Sequence, residues 1–339
     1  MNEKGKVTIY DLAAKLNTTA STVSRALQNS PRISLKMRNA VHELAEKLHY
    51  IPDPVAHHLR TGKGNVLGII VPRIDRNYFA SIISSFQKTA MQKNYNIIIA
   101  ASNESAEDEL AAVKALLSKK VDGIAISVAA EESNNDYEEL CKVHNTPILF
   151  FDRVPATCSV DTVTNDNYRI GYDAVLQLNK IGRRKIGHFA GPQHMKMYSE
   201  RLAGFKQALT DCGMEFNEEY VYNNCITLER GVEVAENIVE NSKKPDAIFS
   251  AGDFSAISAL DTFSRKGVNS PKDIAVIGVA NESLNSYLST PLASFDLNKE
   301  KIGELAAKML LERISEKSTK KEAQHVIVEH TLVLRESAL

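Results

Sequence analysis

The chain of 339 residues has few cysteines and no long hydrophobic segment, and both absences narrow the class of protein. Its cysteines are scattered, with no CxxC pair and no Cys/His spacing typical of zinc ligands: Cys141, Cys158, Cys212 and Cys225. This argues against a disulfide framework and a zinc site, so we expect four reduced cysteines. No run of about 18 apolar residues occurs, and the start MNEKGKVTIY lacks the apolar segment of a signal peptide. We therefore expect a cytoplasmic protein that makes no membrane contact.

Motifs of catalysis are missing as well. The sequence has no nucleophile elbow, no phosphate-binding loop of the form GxxxxGKS and no carboxylate pair at a defined spacing. His57 and His58 are adjacent, so on a helix they point apart, and no third metal ligand is near them. The sequence therefore predicts a protein that is not an enzyme, with no catalytic residues, no metal site and no cofactor.

Charge is distributed unevenly, although the net charge of −1 is close to zero. Residues 1–63 contain ten Lys or Arg and five Asp or Glu, a net charge of +5, which leaves 31 basic and 37 acidic residues, a net charge of −6, for the remainder. A basic head on an acidic body favours a polyanion as the partner of the head. A bias of this size also occurs on ordinary solvated surfaces, so alone it is weak support.

The stretch VTIYDLAAKLNTTASTVSRALQN, residues 7–29, has the pattern of two short helices joined by a tight polar turn. Thr8 is placed to cap the first helix, with Asp11 as the acid three residues later. Asn17 tolerates the left-handed conformation in which such a helix ends. Thr19 is the next N-cap, so a second helix is expected to begin at once.

The second predicted helix is too polar to be a core helix. It buries Val23, Ala26 and Leu27, whereas its other face carries small hydroxyl groups and one cation: Ser21, Thr22, Ser24 and Arg25. Small hydroxyl groups around an Arg suit close approach to a phosphate backbone and a base edge. An ordinary helical hairpin is the alternative for this stretch taken alone. Ser34 is placed to cap a third helix, which completes a small bundle.

The segment DPVAHHLRTGKGN follows the bundle and has the pattern of a very short helix. Asp53 is a natural cap, Pro54 occupies the favoured first helical position, and Gly62 and Gly64 end the segment. One or two helical turns are too short to be stable alone in water. The order of this segment should therefore depend on what it contacts.

From Val66 onward, short apolar runs alternate with amphipathic helical patterns. The runs cover residues 66–72, 95–102, 121–128 and 146–152, and then 185–192, 220–223, 245–253 and 273–281. Apolar strands separated by helices predict parallel sheets covered on both faces, here in two similar halves with a cleft between them. The tail adds one long helix and a closing strand or hairpin.

The predicted fold class is α/β, with a small all-α head at residues 1–51, a hinge at 52–63 and a body at 64–339. We place the first half of the body at about 64–165 plus 295–325, and the second half at about 166–294 plus 326–339. Ligands in open α/β sheets bind beyond the carboxyl ends of the strands. The residues there are polar, mixed in charge and partly aromatic, as in a pocket for a hydroxyl-rich ligand: Arg73, Asp75, Tyr78, Phe79, Ser127, Asp152, Arg153, Gln193, Asp253 and Asn281.

Over nearly its whole length the chain resembles the lactose-repressor/galactose-repressor family of bacterial transcription regulators. The head TIYDLAAKLNTTASTVSRALQNSPRIS is similar to the family's opening pattern at almost every position, and the order of parts agrees. The resemblance implies a helix-turn-helix head, a hinge helix and a two-subdomain body like the type I periplasmic sugar-binding proteins. It also implies a homodimer that places two heads on a near-palindromic operator in double-stranded DNA.

The resemblance assigns DNA-binding roles in the head and the hinge. Thr19 begins the recognition helix, and Arg25 can reach a guanine in the major groove. Leu59 inserts into the minor groove, where unstacking a base step permits a bent duplex; plain packing is the alternative. His57 replaces the usual hinge Arg, which removes a permanent cation. The predicted DNA contacts are Thr8, Thr19, Ala20, Ser21, Thr22, Ser24, Arg25, Gln28, Asn29, Ser34, His57 and Leu59.

In the body, the resemblance implies a small-molecule effector in the cleft. Tyr78 and Phe79 match the family's aromatic pair, for which core packing is the alternative, and Arg201 matches its ligand-binding Arg. Ala280 stands where many members have an Asp that grips the ligand, so that role passes to Asn281 or is absent. The predicted ligand contacts are Tyr78, Phe79, Ser127, Asp152, Arg201, Asp253 and Asn281.

We therefore expect a ligand-responsive transcription regulator, and specifically a repressor, in which a sugar or sugar derivative controls the order of the hinge. The alternative from another class is a cytoplasmic small-molecule binding protein without specific DNA readout. A third possibility, an enzyme on the same two-half scaffold, finds no support in the sequence.

Overall fold

The computed structural model describes residues 7–51, 64–129, 136–155, 157–315 and 322–339. The chain divides into two compact units, Met1–Gly64 and Asn65–Leu339, which are the head and the body. The predictions for the hinge at 52–63, including those for His57 and Leu59, lie outside the described residues.

The head contains three helices, α1 (Ile9–Lys15), α2 (Ala20–Leu27) and α3 (Leu35–Lys47). The three predicted N-caps are confirmed. Thr8 forms a capping box with Asp11, Thr19 accepts a hydrogen bond from the backbone N–H of Thr22, and Ser34 caps α3 in the same way. Each cap satisfies a backbone donor that the first helical turn leaves unpaired.

One small apolar cluster holds the head together, because each helix contributes side chains to it. Its fully buried members are Leu12, Val23, Ala26 and Val41. Asn17 has a φ of 46°, so the predicted left-handed turn between α1 and α2 is confirmed. A cluster of this size stabilises a small domain only modestly.

The body contains two six-stranded sheets, as the alternation of apolar runs and helices predicts. The first has the strand order β11-β5-β4-β3-β1-β2 and is parallel throughout. Its strands are β1 (Val66–Val71), β2 (Asn96–Ala101), β3 (Gly123–Ile126), β4 (Ile148–Phe151), β5 (Asp161–Asn165) and β11 (His325–Val328). The second has the order β12-β10-β9-β8-β6-β7, in which only β12 is antiparallel. Its strands are β6 (Ile186–Phe189), β7 (Val221–Tyr222), β8 (Ala247–Ser250), β9 (Ala275–Val279), β10 (Ala293–Asp296) and β12 (Thr331–Val333).

Eight α-helices pack against these sheets within the described residues. They are α4 (Asn77–Met91), α5 (Ala106–Ser118), α6 (Asp136–Val143), α7 (Asn167–Lys180), α8 (Lys196–Asp211), α9 (Leu228–Glu240), α10 (Asp253–Arg265) and α11 (Lys299–Ser315). The central strands are buried, whereas the edge strand β2 is largely exposed. None of the helices in this part of the chain is long and apolar enough to cross a membrane.

The tail differs from the sequence-based expectation of a closing strand or hairpin. β11 joins the first sheet beside β5, whereas β12 joins the second sheet beside β10. The last crossover between the halves therefore lies between residues 328 and 331, not near 326, and the preceding one follows Asp296. The buried Asn165 links the three crossovers, because its Nδ2 donates to the carbonyl oxygens of Leu297 at 3.1 Å and Val328 at 2.8 Å.

Candidate functional sites in the head and the body

α2 presents a polar face at the surface of the head. Ser21 and Arg25 are exposed, whereas Val23 and Ala26 are fully buried against the other helices. The other predicted contacts on this helix, Ala20, Thr22 and Ser24, are partly buried at the margin of that face. The arrangement leaves one cation and several hydroxyl groups accessible on a rigid helix, which is what contact with a base edge and a phosphate requires.

Several predicted DNA contacts already have structural partners within the head. The hydroxyl of Thr8 donates to Asp11 Oδ2 at 2.7 Å, and Thr19 and Ser34 act as N-caps. Gln28 is exposed at the end of α2. Asn29 has a φ of 55° and contacts α3, because its carbonyl accepts from Arg38 and its Oδ1 lies 3.2 Å from His42 Nε2. The side chain of Asn29 therefore orients α3, a role that the sequence did not reveal.

The body contains a cavity between its two halves, at the carboxyl ends of the parallel strands. Both halves contribute to its wall. The predicted ligand contacts that line it are Tyr78, Phe79, Asp152, Arg201 and Asp253. Further side chains in its wall are Arg73, Arg76, Glu104, Arg153, Met197, Tyr198, Ile226, Phe254 and Glu282. Five of the seven predicted ligand contacts therefore lie at one cavity beyond the strand ends, and their role in ligand binding stays a prediction.

Asp152 lies at the centre of the first half's contribution. Its Oδ1 accepts a hydrogen bond from the Tyr78 hydroxyl at 2.7 Å, and its Oδ2 accepts from Ser127 at 3.2 Å. Burial raises the pKa of Asp152 and raises that of Tyr78. Ser127 does not line the cavity itself but orients the carboxylate from behind. Asp152 has a φ of 59°, which is uncommon for a residue other than glycine and often marks a functional position.

Arg153 forms a two-point ion pair with Glu104 at the same wall. Its Nη1 lies 2.6 Å from Glu104 Oε2 and its Nη2 lies 3.3 Å from Oε1. The Arg153 guanidinium also lies 5.9 Å from the centre of the Phe79 ring. Glu104 is not among the residues that the sequence predicts for the pocket. It follows the apolar run at 95–102, so it lies at a strand end, where such residues are expected.

Arg201 is the deepest cation of the second half, with only 3% of its surface exposed. Its Nε donates to Asn167 Oδ1 at 3.0 Å and its Nη1 donates to the carbonyl of Ala251 at 2.7 Å. Burial lowers the pKa of Arg201. Gly171 makes this position possible, because a Cβ added there would lie 2.0 Å from the backbone oxygen of Arg201. The close packing of α7 on α8 thus fixes the backbone position from which the Arg201 side chain extends.

Asp253 lines the cavity, but its carboxylate is used within the protein. Its Oδ2 accepts from the backbone N–H of Glu282 and from Asn285 Nδ2, both at 2.8 Å, and its Oδ1 accepts from Ser294 at 2.7 Å. Burial raises the pKa of Asp253. Glu282 and Asn285 thereby hold the loop after β9 on the start of α10, and Ser294 joins β10 to the same carboxylate. Asp253 therefore shapes the cavity through this loop more than through free carboxylate oxygens.

Asn281 is not among the residues that line the cavity, so of the two alternatives for the missing Asp the geometry favours the absence of that ligand contact. Its Nδ2 donates to Asp296 Oδ2 at 2.9 Å, and its Oδ1 accepts from Arg335 at 2.8 Å. The backbone conformation explains this position of Asn281. Ala280 and Asn281 both have positive φ values, 113° and 48°, which turn the chain sharply after β9. This turn brings Ala280 to the cavity wall and directs Asn281 towards the crossovers.

One contact in the cavity wall joins the two halves, and the sequence did not indicate it. The Arg76 guanidinium from the start of α4 lies 4.0 Å from the centre of the Phe254 ring on α10. Arg73 is paired with Asp75. Glu282 is buried, and its pKa is raised by that burial.

Within the described residues, no group of three His, Cys, Asp or Glu side chains is arranged to hold a metal ion.

Comparison with protein families covers both units of the chain. Residues 64–335 match the family described as periplasmic binding proteins and sugar binding domain of the LacI family. Residues 8–53 match the family described as bacterial regulatory proteins, lacI family.

Individual proteins are similar over almost the entire chain. The HTH-type transcriptional repressor PurR of Klebsiella pneumoniae is 30% identical over 331 residues, which are 97% of this chain and 96% of that protein. Catabolite control protein A of Priestia megaterium is 29% identical over 332 residues, 98% of this chain and 99% of that protein. The structure of the Lac repressor dimer bound to operator and the anti-inducer ONPF has a TM-score of 0.86 at 21% identity, covering 99% of this chain and 100% of that one. The chain therefore belongs to the LacI family of bacterial regulatory proteins, and it is a ligand-responsive, DNA-binding transcriptional repressor of that family.

Proposed function

We propose that this protein binds a near-palindromic operator as a homodimer, and that a sugar or sugar derivative in the body cavity controls its affinity for that operator. The observation that carries the proposal is that one chain combines two features. They are the exposed polar face of α2 and a cavity whose wall comes from both halves of the body. Since operator DNA is in the bacterial cytoplasm, we also assign the protein to that compartment.

The head reads DNA through α2 in this proposal. Arg25 contacts a base edge, and Ser21 and Ser24 approach the phosphates and neighbouring bases. Thr19 and Ser34 keep their capping roles, and the N-terminal backbone donors of α2 and α3 face the phosphate backbone. In the hinge we keep the expectation that Leu59 enters the minor groove and that His57 is its polar neighbour.

The body forms the dimer through surfaces that carry exposed apolar side chains. On the first half, Met91 and the adjacent strand residues Ile98 and Ile99 are exposed at the β2 edge of the sheet. On the second half, Leu284 and Tyr287 are exposed in the loop after β9. Apolar patches of this kind mark association surfaces in soluble proteins. The structurally similar Lac repressor is a dimer on its operator, which supports a second copy as the occupant here.

Ligand binding in the cavity changes how the two halves pack, and the chain passes between them at three crossovers. Any effector that binds one arrangement more tightly shifts the population towards that arrangement. The CelR structure is described as a cellobiose complex, and it shares the fold with a TM-score of 0.73. This likeness supports a sugar-like effector for the cavity.

The test is a gel-shift titration of the full chain on the DNA upstream of its own gene, with a shuffled sequence of equal length as the control. At physiological salt we expect the natural DNA to bind at least about 10³-fold more tightly. Equal affinity for both sequences, at any salt concentration, would favour a small-molecule binding protein without specific DNA readout.

A further inference from the structure

The cavity of the body has an imbalance between hydrogen-bond donors and acceptors. Three of its four carboxyl groups are already engaged within the protein, and the fourth, Glu282, is buried, which raises its pKa. Asp152 accepts from two hydroxyl groups, Asp253 accepts from three donors, and Glu104 is paired with Arg153. A ligand that offers mainly donors would therefore find few free acceptors.

Arg201 has donors left for a ligand. A guanidinium carries five N–H groups, and the hydrogen bonds of Arg201 to the protein involve only its Nε and Nη1, both to uncharged acceptors. Its Nη2 has no partner among the described residues, and it is not sealed from the cavity. Burial lowers the pKa of Arg201, and the charge of Asp152 opposes that shift without a direct ion pair. A cation that is 97% buried and has no ion pair in the described part of the chain is costly, so an anionic ligand group would stabilise it.

Arg76 provides a second unpaired cation on the facing half. One face of its guanidinium lies over the Phe254 ring, and it forms no ion pair with any acid in the described ranges. The buried carboxyl group of Glu282 lines the same part of the wall; burial raises its pKa and the charge of Arg76 opposes that shift, although the two side chains form no ion pair. Arg73, by contrast, lines the cavity but is neutralised by Asp75.

Helix ends add further donors to the cavity. The first turns of α4, α8 and α10 contribute wall residues, and their N-cap positions, Arg76, Met195 and Gly252, provide no side-chain hydrogen bond. Six other helices have a side-chain cap: α1, α2, α3, α5, α7 and α9. Uncapped N-termini favour negative charge through their free N–H groups and the helix dipole.

We propose that the effector carries an anionic oxygen group, a carboxylate or a phosphate, on a hydroxyl-bearing ring, and that Arg201 and Arg76 bind this group from opposite halves. The proposal rests on the cavity being the effector site of the proposed function. Ala280 agrees with it, since a carboxylate at that wall position would neutralise cations that here remain free. Each half supplies one of the two cations. An anion bound by both therefore draws the two halves together and closes the cavity.

The test is isothermal titration calorimetry of the full chain with matched sets of sugars. Each set contains a neutral hexose, its uronate and its 6-phosphate, for glucose, galactose and mannose, and inorganic phosphate is titrated separately. We expect the charged member of the best-binding set to bind at least about tenfold more tightly than the neutral one, and this margin to shrink with salt. A preference for the uronate or for the phosphate identifies which anion is used. Equal or tighter binding of the neutral hexoses, or no binding of any charged member, overturns the proposal.

Variants locate the anion within the cavity. We expect Arg76→Gln and Arg201→Gln each to weaken the charged ligand at least about tenfold and the neutral parent much less. Arg265→Gln is the matched control and should change both affinities little, because this exposed cation is paired with Asp261 outside the cavity. Equal losses for all three variants, or equal losses for charged and neutral ligands, would contradict the assignment.

Operator binding by the same variants without ligand separates this proposal from the proposed function. Retained operator preference with no preference for charged ligands rejects only the anionic effector. Loss of operator preference in the unmodified chain rejects the regulator.

Discussion

Arg25 is the exposed cation of α2, and we assign it the contact with a base edge in the proposed complex. We expect Arg25→Ala to cost about 1–3 kcal/mol of binding free energy on the natural operator and less on random DNA. Lys47→Ala removes an exposed cation from the far end of α3 and is the control. Fluorescence anisotropy on both DNAs measures the difference. Equal losses on operator and random DNA would show that Arg25 contacts phosphates only.

His188 gives a pH dependence of stability whose sign follows from burial. Its ring is enclosed between Phe205 and Phe249, and burial lowers its pKa from 6.5 to about 4. Between these values the unfolded chain binds a proton that the folded chain does not. His188 therefore removes stability as pH falls from 6.5 towards 4, by about 3 kcal/mol in all, and has no such effect above 6.5.

We expect His188→Phe to flatten this part of the pH profile, since the ring stacking is kept and the titrating group is lost. Urea unfolding at pH 7.5 and pH 4.5 measures it. His144→Gln, at an exposed position, is the control and should keep the profile of the unmodified chain. An unchanged profile in His188→Phe would mean that another group is responsible.

At the scale of elements, α2 depends on its cap. Thr19 satisfies the backbone N–H of Thr22 at 3.2 Å, so Thr19→Ala should lower the local stability of α2 by about 1 kcal/mol. The adjacent Thr18→Ala removes a similar side chain that caps nothing, and it should cost clearly less. Native-state hydrogen exchange of the α2 amides in the full chain measures both. Equal effects would assign the loss to general helix propensity.

The sequence predicted the strands whose own side chains show that they are buried in the centre of a sheet. The central strands β1, β3, β4, β8 and β9 were found because they are apolar throughout and buried on both faces. β5 was missed because it carries polar residues whose partners are far away in the chain. Asp161 pairs with Arg313, and Thr162 bonds to His325. No local pattern reveals such partners.

The cavity residues divide in the same way, into those that the sequence predicted and those whose positions depend on partners far away in the chain. Tyr78, Asp152 and Arg201 were predicted from strand ends and from the family resemblance, and the structure brings them together. Arg76 was not predicted, since its position depends on an aromatic ring from the other half. Asn281 was predicted at the cavity but is held away from it by Asp296 and Arg335, two partners that lie far along the chain.

At the scale of the whole molecule, the dimer surface can be tested with exposed isoleucines on opposite edges of one sheet. Ile99 is on β2 and Ile327 is on β11, with exposed fractions of 46% and 62%. We expect Ile99→Asp to produce monomers, because a charge would be buried in the interface. Ile327→Asp should leave the dimer intact. Light scattering after size exclusion gives the mass, and a dimeric Ile99→Asp would place the interface elsewhere.

The central claim is that the cavity controls the head, and one titration addresses it directly. The operator affinity of the full chain is measured with and without the sugar or sugar derivative that stabilises it most in a thermal-shift screen. We predict a change of at least about fivefold, which is absent in Arg201→Ala although that variant still binds operator in the absence of ligand. A ligand that binds the cavity and leaves operator affinity unchanged would contradict the account.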